Sequence, residues 1–208
     1  MNVQWKYWYF DKALSKKECH KIIKHSLSKK NRTARTFGLN KKRLSGKEIK
    51  DLKKRRDSNI IWLRDKWLID RIRPYINIAN SNSGWNFEIS SIEDIQFTIY
   101  KKNQHYNYHQ DSSFVPYDRS DNIHLHGKIR KLSMSICLSD PSDYKGGDFK
   151  ILTHDITDPT KLKEIEVKEL KPMGSIIVFP SDEYHCVTPV TKGTRYSLVV
   201  WCVGKPFR

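Results

Sequence analysis

Residues 131–139 read KLSMSICLS, a run in which bulky apolar and small side chains alternate without a break. The bulky set is Leu132, Met134, Ile136 and Leu138, and the small set is Ser133, Ser135, Cys137 and Ser139. Because successive side chains of a strand point to opposite faces, the alternation predicts a β-strand that packs its bulky face against another layer. Two interpretations of the small face stay open. It lines a cavity that leaves room for a ligand, or it belongs to an ordinary half-exposed strand.

The same period of two recurs in short apolar stretches on both sides of this run. These stretches cover residues 86–92, 95–100, 131–138, 149–152, 175–179, 184–190 and 195–203. Gly, Pro, Asp and Asn signals separate them, which is typical of an all-β sandwich or barrel. The N-terminal part has a helical period instead, over 15–28 and 60–79, with a shorter helix near 47–56. Ser15 and Glu18 form a capping-box pattern, and Pro74 predicts a kink or break.

Length and organisation indicate one domain covering 1–208, because 208 residues are few for two ordinary domains. We expect a helical, basic region over about 1–80 that buttresses a β core over about 86–203. No apolar run is long enough to span a bilayer, and no secretory signal is evident. The four scattered cysteines therefore indicate reduced thiols and a cytoplasmic protein.

The net charge of +16 is unevenly distributed along the chain. Residues 1–60 hold 19 Lys/Arg against 5 Asp/Glu, whereas residues 61–208 hold 20 against 18. Basic clusters occur at Lys16-Lys17, Lys29-Lys30, Lys41-Lys42-Arg43 and Lys53-Lys54-Arg55-Arg56. Such a field attracts an acidic or nucleic-acid partner, and the alternative is a solvated surface without a partner.

A metal-ligand pattern follows one of the predicted strands. Tyr106-Asn107-Tyr108-His109-Gln110-Asp111 places His109 and Asp111 two positions apart, so on a strand both would face one metal ion. Together with a distant histidine, they would form the two-His, one-carboxylate set of non-haem Fe(II) oxygenases, which leaves coordination positions open. A His-x-Asp alone is a frequent coincidence, so its value depends on residues further along the chain.

His185 and Arg195 flank a second informative segment. We predict a hairpin whose three-residue loop ends at Gly193, which would place both residues on one face of paired strands. A guanidinium in that position would reach the far carboxylate of a small diacid held by the metal, since its planar fork binds carboxylates bidentately.

The sequence also contains other candidate sites besides His109, Asp111 and His185. His124 and His126 also have the spacing of a ligand pair, and His105 lies near His109, but residues 112–130 are polar and predict a loop. A Ser/His/Asp hydrolase is disfavoured because no Gly-x-Ser-x-Gly elbow is present. A phosphate loop and a dinucleotide fingerprint are also missing from the sequence.

With these residues in view, the chain resembles the 2-oxoglutarate- and Fe(II)-dependent oxygenases, in particular their prolyl 4-hydroxylase-like branch. The shared motifs, in order, are Arg56-Asp57-Ser58, Ile99-Tyr100, Tyr106-x-x-His109-x-Asp111, Arg130-Lys131-Leu132-Ser133, Leu138-Ser139-Asp140, Tyr144-Lys145-Gly146-Gly147-Asp148-Phe149, 174–181, His185-x-Val187-x-Pro189-Val190 and Gly193-x-Arg195-Tyr196. The resemblance departs at Lys101–His105, where relatives usually carry Gly or Pro. That difference leaves the candidate ligands intact but changes the expectation for the loop.

The resemblance implies a double-stranded β-helix, a jelly-roll-like barrel, buttressed by α-helices. It implies that His109, Asp111 and His185 bind Fe(II), and that Arg195 and Tyr100 bind the far carboxylate of 2-oxoglutarate. Tyr106 would lie in the same pocket. Fe(II), 2-oxoglutarate and O2 are the implied cofactor and cosubstrates, and ascorbate is a further candidate.

The implied function is that of a dioxygenase that hydroxylates an unactivated C–H bond and decarboxylates 2-oxoglutarate to succinate and CO2. A prolyl residue of a peptide or protein is the first substrate class. A free amino acid or other small molecule, and a nucleic acid, are the alternatives, and a non-catalytic binding domain is disfavoured. Residues 112–130 would form either a lid over substrate or a passive surface loop.

Overall fold

The computed structural model describes residues 5–29, 32–33, 45–112, 115–155, 157–158 and 160–207. Its α-helices are α1 (Lys16–Leu27), α2 (Gly46–Arg55) and α3 (Lys66–Asn82), and a short 3₁₀ turn covers Lys168–Leu170. Helix α1 begins at the predicted capping box: Ser15 Oγ accepts a hydrogen bond from the Glu18 amide, while the Glu18 carboxylate accepts one from the Ser15 amide.

The rest of the described chain is mainly β-structure. In chain order the strands are β1 (Trp8–Phe10), β2 (Arg32–Thr33), β3 (Arg56–Asp57), β4 (Asn59–Leu63), β5 (Ser91–Ile92), β6 (Ile95–Tyr100), β7 (His105–His109), β8 (Ile129–Cys137), β9 (Tyr144–Gly146), β10 (Phe149–His154), β11 (Leu162–Glu166), β12 (Ile176–Pro180), β13 (Tyr184–Val187), β14 (Val190–Gly193) and β15 (Arg195–Gly204). The described pairings are antiparallel.

Two larger sheets make up the jelly-roll core, which confirms the predicted fold class. Among the described residues, the major sheet has the order β1-β12-β8-β15-β6-β4-β2, with β5 added to β15. The minor sheet has the order β11-β10-β13-β7-β3, and β14 pairs with β9 separately. Because the chain passes repeatedly from one sheet to the other, residues far apart in sequence meet in the space between them.

The outer face of the major sheet is covered by α1 and α3. Met134 and Ile136 of β8 belong to one buried core with Ile22 of α1 and Leu68 and Ile72 of α3. The small side chains of β8 point the other way: Ser135 lines an internal cavity, and Ser133 bonds to a residue at its wall. The first interpretation of KLSMSICLS, a cavity lining, is therefore confirmed.

The predicted helix over 60–79 is wrong at its beginning. Residues 59–63 form strand β4, which pairs with β6 in the register Ile61 to Phe97, and α3 starts only at Lys66. Helix α3 then runs through Pro74 to Asn82 without ending there. Residues 59–63 lack a decisive local signal, and the pairing partner that makes them a strand lies over 30 residues away.

Two expectations from composition can also be compared with the structure. All four cysteines are free and buried, as expected for reduced thiols. No helix in the described ranges combines the length and apolarity needed to cross a bilayer. The basic clusters at Lys30 and at 41–43 lie outside the described residues.

Candidate metal centre

The three predicted metal ligands meet in the space between the two sheets. His109 ends β7 and is the direct cross-strand partner of His185 on β13. Asp111 lies two residues beyond the strand, where its amide donates to the Ser181 carbonyl at 2.8 Å. One carboxylate oxygen of Asp111 is 3.6 Å from Nε2 of His109, and the other is 3.6 Å from Nε2 of His185. The ligand atoms of all three lie within 4.8 Å of one another, close enough to hold one metal ion.

Both imidazoles are oriented by the backbone in the same way. Nδ1 of His109 lies 2.8 Å from the carbonyl oxygen of Asn107, and Nδ1 of His185 lies 2.9 Å from that of Glu183. A carbonyl oxygen only accepts hydrogen bonds, so each Nδ1 carries the hydrogen and each Nε2 keeps its lone pair. The lone pairs are therefore directed to the side where Asp111 lies, as a metal centre requires.

The protonation states of the cluster suit a cation. Burial by itself would raise the pKa of Asp111, but the neighbouring His185, His109 and Arg130 together hold that pKa far below its usual range. Burial, reinforced by His109, lowers the pKa of His185 to about 4. A carboxylate that stays ionised and an imidazole that stays neutral are the forms that bind metals.

A second layer of residues holds the Asp111 carboxylate in place. Ser133 Oγ donates to Asp111 Oδ2 at 2.7 Å and is itself 2.9 Å from Ser181 Oγ. This layer was not identified as functional from the sequence, although Ser133 is part of the Arg130–Ser133 motif. The small face of β8 was the signal that could have found it.

Aromatic rings form the walls around the two imidazoles. Tyr106 stacks on His109 with ring centroids 3.4 Å apart, and Phe149 stacks on His185 at 5.4 Å. Burial raises the pKa of Tyr106 to about 12, so its hydroxyl stays protonated. Tyr106 lines the same pocket as the candidate ligands, which is the position that the resemblance implied.

Arg195 and Tyr100 lie together at another wall of the same cavity. They are direct partners across β15 and β6, and the guanidinium carbon is 5.8 Å from the centre of the Tyr100 ring. Arg195 is only 2% exposed, and its Nη1 has no hydrogen-bond partner among the described residues. A buried guanidinium N–H without an acceptor is costly unless an anion binds to it, so this corner suits a carboxylate such as the far one of 2-oxoglutarate.

The predicted hairpin between His185 and Arg195 is wrong, although both residues reach the same cavity. His185 pairs within the minor sheet, Arg195 pairs with β6 in the major sheet, and β14 between them pairs with β9. The two residues therefore approach from opposite sheets. Gly193 does have the expected positive φ, at 74°. The turn signal was correct, but it could not show that the chain crosses from one sheet to the other.

The rival histidines have other contacts. His126 Nδ1 accepts from the Arg119 amide, His124 lines a surface groove, and His105 Nε2 lies 3.2 Å from the Lys54 carbonyl oxygen. In the part of the chain that the structure describes, His109, Asp111 and His185 form the one cluster of three or more His, Cys, Asp or Glu side chains with metal-binding geometry.

Two buried cations near the cavity were not assigned there from the sequence. Arg56 was grouped with the basic surface, yet it is buried, lines the cavity and lies 4.5 Å from the Tyr106 ring centre. Arg130 forms a two-bond ion pair with Glu93, and its guanidinium carbon is 3.9 Å from the centre of the Trp201 ring. The cavity is narrow, with about 30 Å³ open to the centre of a water-sized sphere.

The chain is similar to known hydroxylases in sequence and in fold. It is 34% identical over 110 residues to a PKHD-type hydroxylase of Prochlorococcus marinus, a match covering 53% of this chain and 41% of that relative. The viral collagen prolyl hydroxylase of Paramecium Bursaria Chlorella virus-1 superposes with a TM-score of 0.63 at 20% identity, covering 97% of both chains. A Trichoplax adhaerens prolyl hydroxylase, solved with a hypoxia inducible factor peptide, gives a TM-score of 0.65 at 15% identity, covering 95% of this chain and 83% of that one.

These similarities differ in what they establish. The structural matches, at such low identity, establish the fold alone, and the sequence match spans about two fifths of the curated relative. The family model for the 2OG-Fe(II) oxygenase superfamily matches residues 95–203, which is more than half of the chain. The matched range contains every residue of the candidate centre. The chain therefore belongs to the 2OG-Fe(II) oxygenase superfamily, which implies Fe(II), 2-oxoglutarate and O2 as its cofactor and cosubstrates.

Proposed function

We propose that this protein is an Fe(II)- and 2-oxoglutarate-dependent dioxygenase that hydroxylates a prolyl residue of a peptide or protein. The observation that carries the proposal is the convergence of two unlike sites in one cavity. His109, Asp111 and His185 present three metal-ligand atoms, and Arg195 presents a buried guanidinium whose Nη1 lacks an acceptor in the described structure. Proteins that hold only a metal, or only a carboxylate, need one of these sites and not both.

Each residue has a defined task in the proposed reaction. His109, Asp111 and His185 hold the iron, and Arg195 with Tyr100 holds the far carboxylate of 2-oxoglutarate. Bound iron would supply the activation of O2, which is the four-electron oxidant: one oxygen atom would enter succinate as 2-oxoglutarate loses CO2, and the other would enter the C–H bond. Tyr106, Phe149 and Phe179 surround the imidazoles and exclude bulk water, which protects the reaction from unproductive turnover.

An open surface beside the cavity supports a polymeric substrate over a free amino acid. Trp62 on β4 is 40% exposed and lies 6.1 Å, centre to centre, from Trp201, which lines the cavity. Trp62 and Val199 are both direct partners of Gln96, so these side chains share the concave face of the major sheet. Beside that point lies a groove whose lining includes Trp62, Glu93, Arg119, Asn122, His124 and Leu125. A small molecule would not need this extension.

The cavity wall also suits an amide-containing substrate. The indole Nε1 of Trp201 is buried and has no hydrogen-bond partner among the described residues. A buried donor without an acceptor costs about 1–3 kcal/mol, and a peptide carbonyl oxygen would remove that cost. An aromatic surface such as Trp62 would contact the flat face of a prolyl ring. The prolyl hydroxylases of similar fold support this substrate class.

The alternative is a hydroxylase of a free amino acid or another small molecule, which the narrowness of the cavity favours. The loop over residues 115–128 bears on both alternatives. Its base is closed by the pairs Tyr117 N to Lys128 O and Gly127 N to Tyr117 O, and its side chains form one wall of the groove. We propose that this loop closes over bound substrate.

Two further parts of the proposal concern the setting of the enzyme. We propose a cytoplasmic location, which the four free, buried cysteines support. We also propose that the basic charge of residues 1–60 serves association with an acidic or nucleic-acid partner and not the chemistry itself.

The test is a turnover assay with Fe(II), ascorbate and 2-oxoglutarate against an array of proline-containing peptides. Succinate is measured by NMR, and a 16-Da mass gain located on proline identifies the product. We expect both signals from the wild type and neither from Asp111→Ala, whose fold is checked by circular dichroism. Turnover by Asp111→Ala equal to wild type would refute the metal assignment.

A second variant separates the peptide substrate from the small-molecule alternative. Trp62→Ala should lower kcat/KM for a reactive peptide by about tenfold or more, because it removes a buried aromatic contact. The same variant should leave uncoupled 2-oxoglutarate turnover unchanged. If free proline is hydroxylated faster than every peptide, and Trp62→Ala does not change that rate, the peptide assignment is wrong.

A further inference from the structure

Four separate segments bring exposed cations together at one end of the barrel. We call this surface the basic belt, and it consists of Lys53, Lys54 and Arg55 at the end of α2, Lys101 and Lys102 in the turn between β6 and β7, Lys145 on β9 and Lys192 on β14. All seven side chains are exposed. Four of them lie outside residues 1–60, so the charge distribution along the sequence does not reveal the belt.

Hydrogen bonds show that these segments are neighbours. The Lys54 carbonyl at the end of α2 accepts from Asn107 Nδ2 at 2.8 Å and contacts His105 Nε2. His105 follows the 101–104 turn directly. On the other side of that turn, the Asn103 amide donates to the Val190 carbonyl at 2.7 Å, and Val190 begins β14. The belt therefore runs continuously from α2 through the turn to the β9–β14 pair.

The charges of the belt are poorly neutralised by the protein itself. Among the described residues, Lys54 has an acidic partner, Asp51 at 3.6 Å, and no carboxylate lies within ion-pair distance of the other six. Nearby Asp57 accepts a hydrogen bond from Gln104. Lys145 and Lys192 are direct cross-strand partners, an arrangement of like charges that destabilises a sheet. A bound anion would relieve that repulsion.

The residue types in the basic belt indicate which kind of polyanion it would bind. Six of the seven residues are lysines, which are flexible point charges, and protein–protein interfaces are depleted in lysine and rich in aromatic residues and arginine. None of the exposed aromatic side chains in the described chain belongs to α2, to the 101–104 turn or to the β9–β14 pair. Without an aromatic platform, bases cannot stack on this surface. Exposed lysines without an exposed aromatic neighbour suit contacts with phosphate groups.

We propose that the basic belt binds the phosphate backbone of a nucleic acid without reading its base sequence. The belt lies at the Arg195 end of the barrel, since Lys101 directly follows Tyr100, the cross-strand partner of Arg195. Trp201 and the groove lie six residues further along β15, roughly 20 Å away at about 3.3 Å per residue. Bound nucleic acid therefore leaves the groove open, and it tethers the enzyme without blocking its substrate.

The experiment measures binding of the full-length protein to a fluorescent 20-base-pair DNA duplex and its RNA counterpart, from 20 to 200 mM NaCl. The belt variant carries Lys101→Gln, Lys102→Gln, Lys145→Gln and Lys192→Gln. The control variant carries Lys17→Gln, Lys24→Gln, Lys163→Gln and Lys168→Gln, four exposed lysines elsewhere that give the same change in net charge. Polyglutamate and a second duplex of scrambled sequence are the competing ligands.

We expect salt-dependent binding by the wild type and about tenfold or greater loss of affinity in the belt variant, with the slope of log K against log salt reduced by about 3. The control variant should lose less than about threefold. No wild-type binding at 20 mM NaCl would overturn the proposal. Equal losses in both variants would show a net-charge effect only, and tighter binding to polyglutamate than to either duplex would point to an acidic protein instead. Each of these results is independent of turnover.

Discussion

Each imidazole of the candidate centre obtains its orientation from a carbonyl oxygen two residues earlier in the chain. The donors are Nδ1 of His109 and of His185, and the acceptors belong to Asn107 and Glu183. Because these acceptors are backbone atoms, no side-chain substitution at the two acceptor positions removes them. Asp111 depends instead on a side chain, since Ser133 Oγ donates to its carboxylate at 2.7 Å. The carboxylate is therefore the ligand most open to tuning by mutation.

The role of Arg195 can be tested by substitution. Arg195→Ala should raise the KM for 2-oxoglutarate by about 10- to 150-fold, because a charge-assisted bidentate contact contributes about 1.5–3 kcal/mol. The KM of Arg195→Lys should lie between the values of Arg195→Ala and the wild type, since an ammonium keeps the charge but loses the planar fork. Iron stoichiometry should not change in either protein. A KM equal to that of the wild type in Arg195→Ala would place the far carboxylate elsewhere.

The two faces of strand β8 have different roles. Its bulky face enters the core shared with α1 and α3, and its small face lines the cavity. Substitutions at adjacent positions should therefore have opposite consequences. A core substitution should reduce stability, and a cavity substitution should reduce cosubstrate binding.

Met134→Ala and Ser135→Leu form the matched pair that tests this strand. Met134→Ala should lower the free energy of unfolding by about 2–5 kcal/mol and leave the KM for 2-oxoglutarate unchanged in the folded protein. Ser135→Leu should fill the cavity and abolish measurable 2-oxoglutarate binding by calorimetry. Ser135→Ala is the control and should bind as the wild type does. Normal cosubstrate binding by Ser135→Leu would contradict the role given to this face.

The packing of α1 against α3 gives a prediction for pH. Glu18, already in the capping box, accepts from Arg71 Nε at 2.7 Å, and this bond with the Ser15 bonds lowers the pKa of Glu18 to about 2. A depressed carboxyl pKa contributes stability that is present above its unfolded value, near 4.3, and is lost as the pH falls towards 2. The Tm of Glu18→Gln should therefore lie below that of the wild type at pH 6. This difference should shrink steadily as the pH is lowered to 2.5. A difference independent of pH would show that the charge of Glu18 is irrelevant.

At the scale of the whole molecule, the N-terminal third is part of the barrel as well as its buttress. Strand β1 pairs with β12, and β4 pairs with β6 in the same sheet that carries Arg195. Arg56, at the start of β3, lines the cavity. We therefore propose that residues 1–208 form one domain and that the helical region is not a separable unit.

This proposal predicts a single unfolding transition for the metal-free protein. Tryptophan fluorescence and far-UV circular dichroism should give the same midpoint, and the calorimetric and van't Hoff enthalpies should agree. A chain restricted to 81–208 should not fold, because it exposes the core face of β8 and leaves the sheet edge at β6 unpaired. Two resolved transitions in the complete chain would show that the N-terminal region is an independent unit.

Local patterns in the sequence are enough to predict the class of the fold and to name the candidate ligands. Alternation in 131–139 and in the neighbouring stretches predicts strands, since side-chain direction in a strand depends only on local position. His109, Asp111, His185, Arg195 and Tyr100 could be named because they occur in ordered motifs that resemble one family. These signals are local, so they can be read from the sequence before the pairing of the strands is known.

Only the tertiary structure decided the partners of those elements. Residues 59–63 became a strand because β6 lies beside them, and Arg195 reached the cavity from the opposite sheet and not across a hairpin with His185. Arg56 looked like one cation in a basic run, yet its neighbours in space bury it beside Tyr106. The basic belt likewise joins four distant segments. Pairing, burial and clustering of charge depend on contacts between residues far apart in sequence, which a local pattern cannot encode.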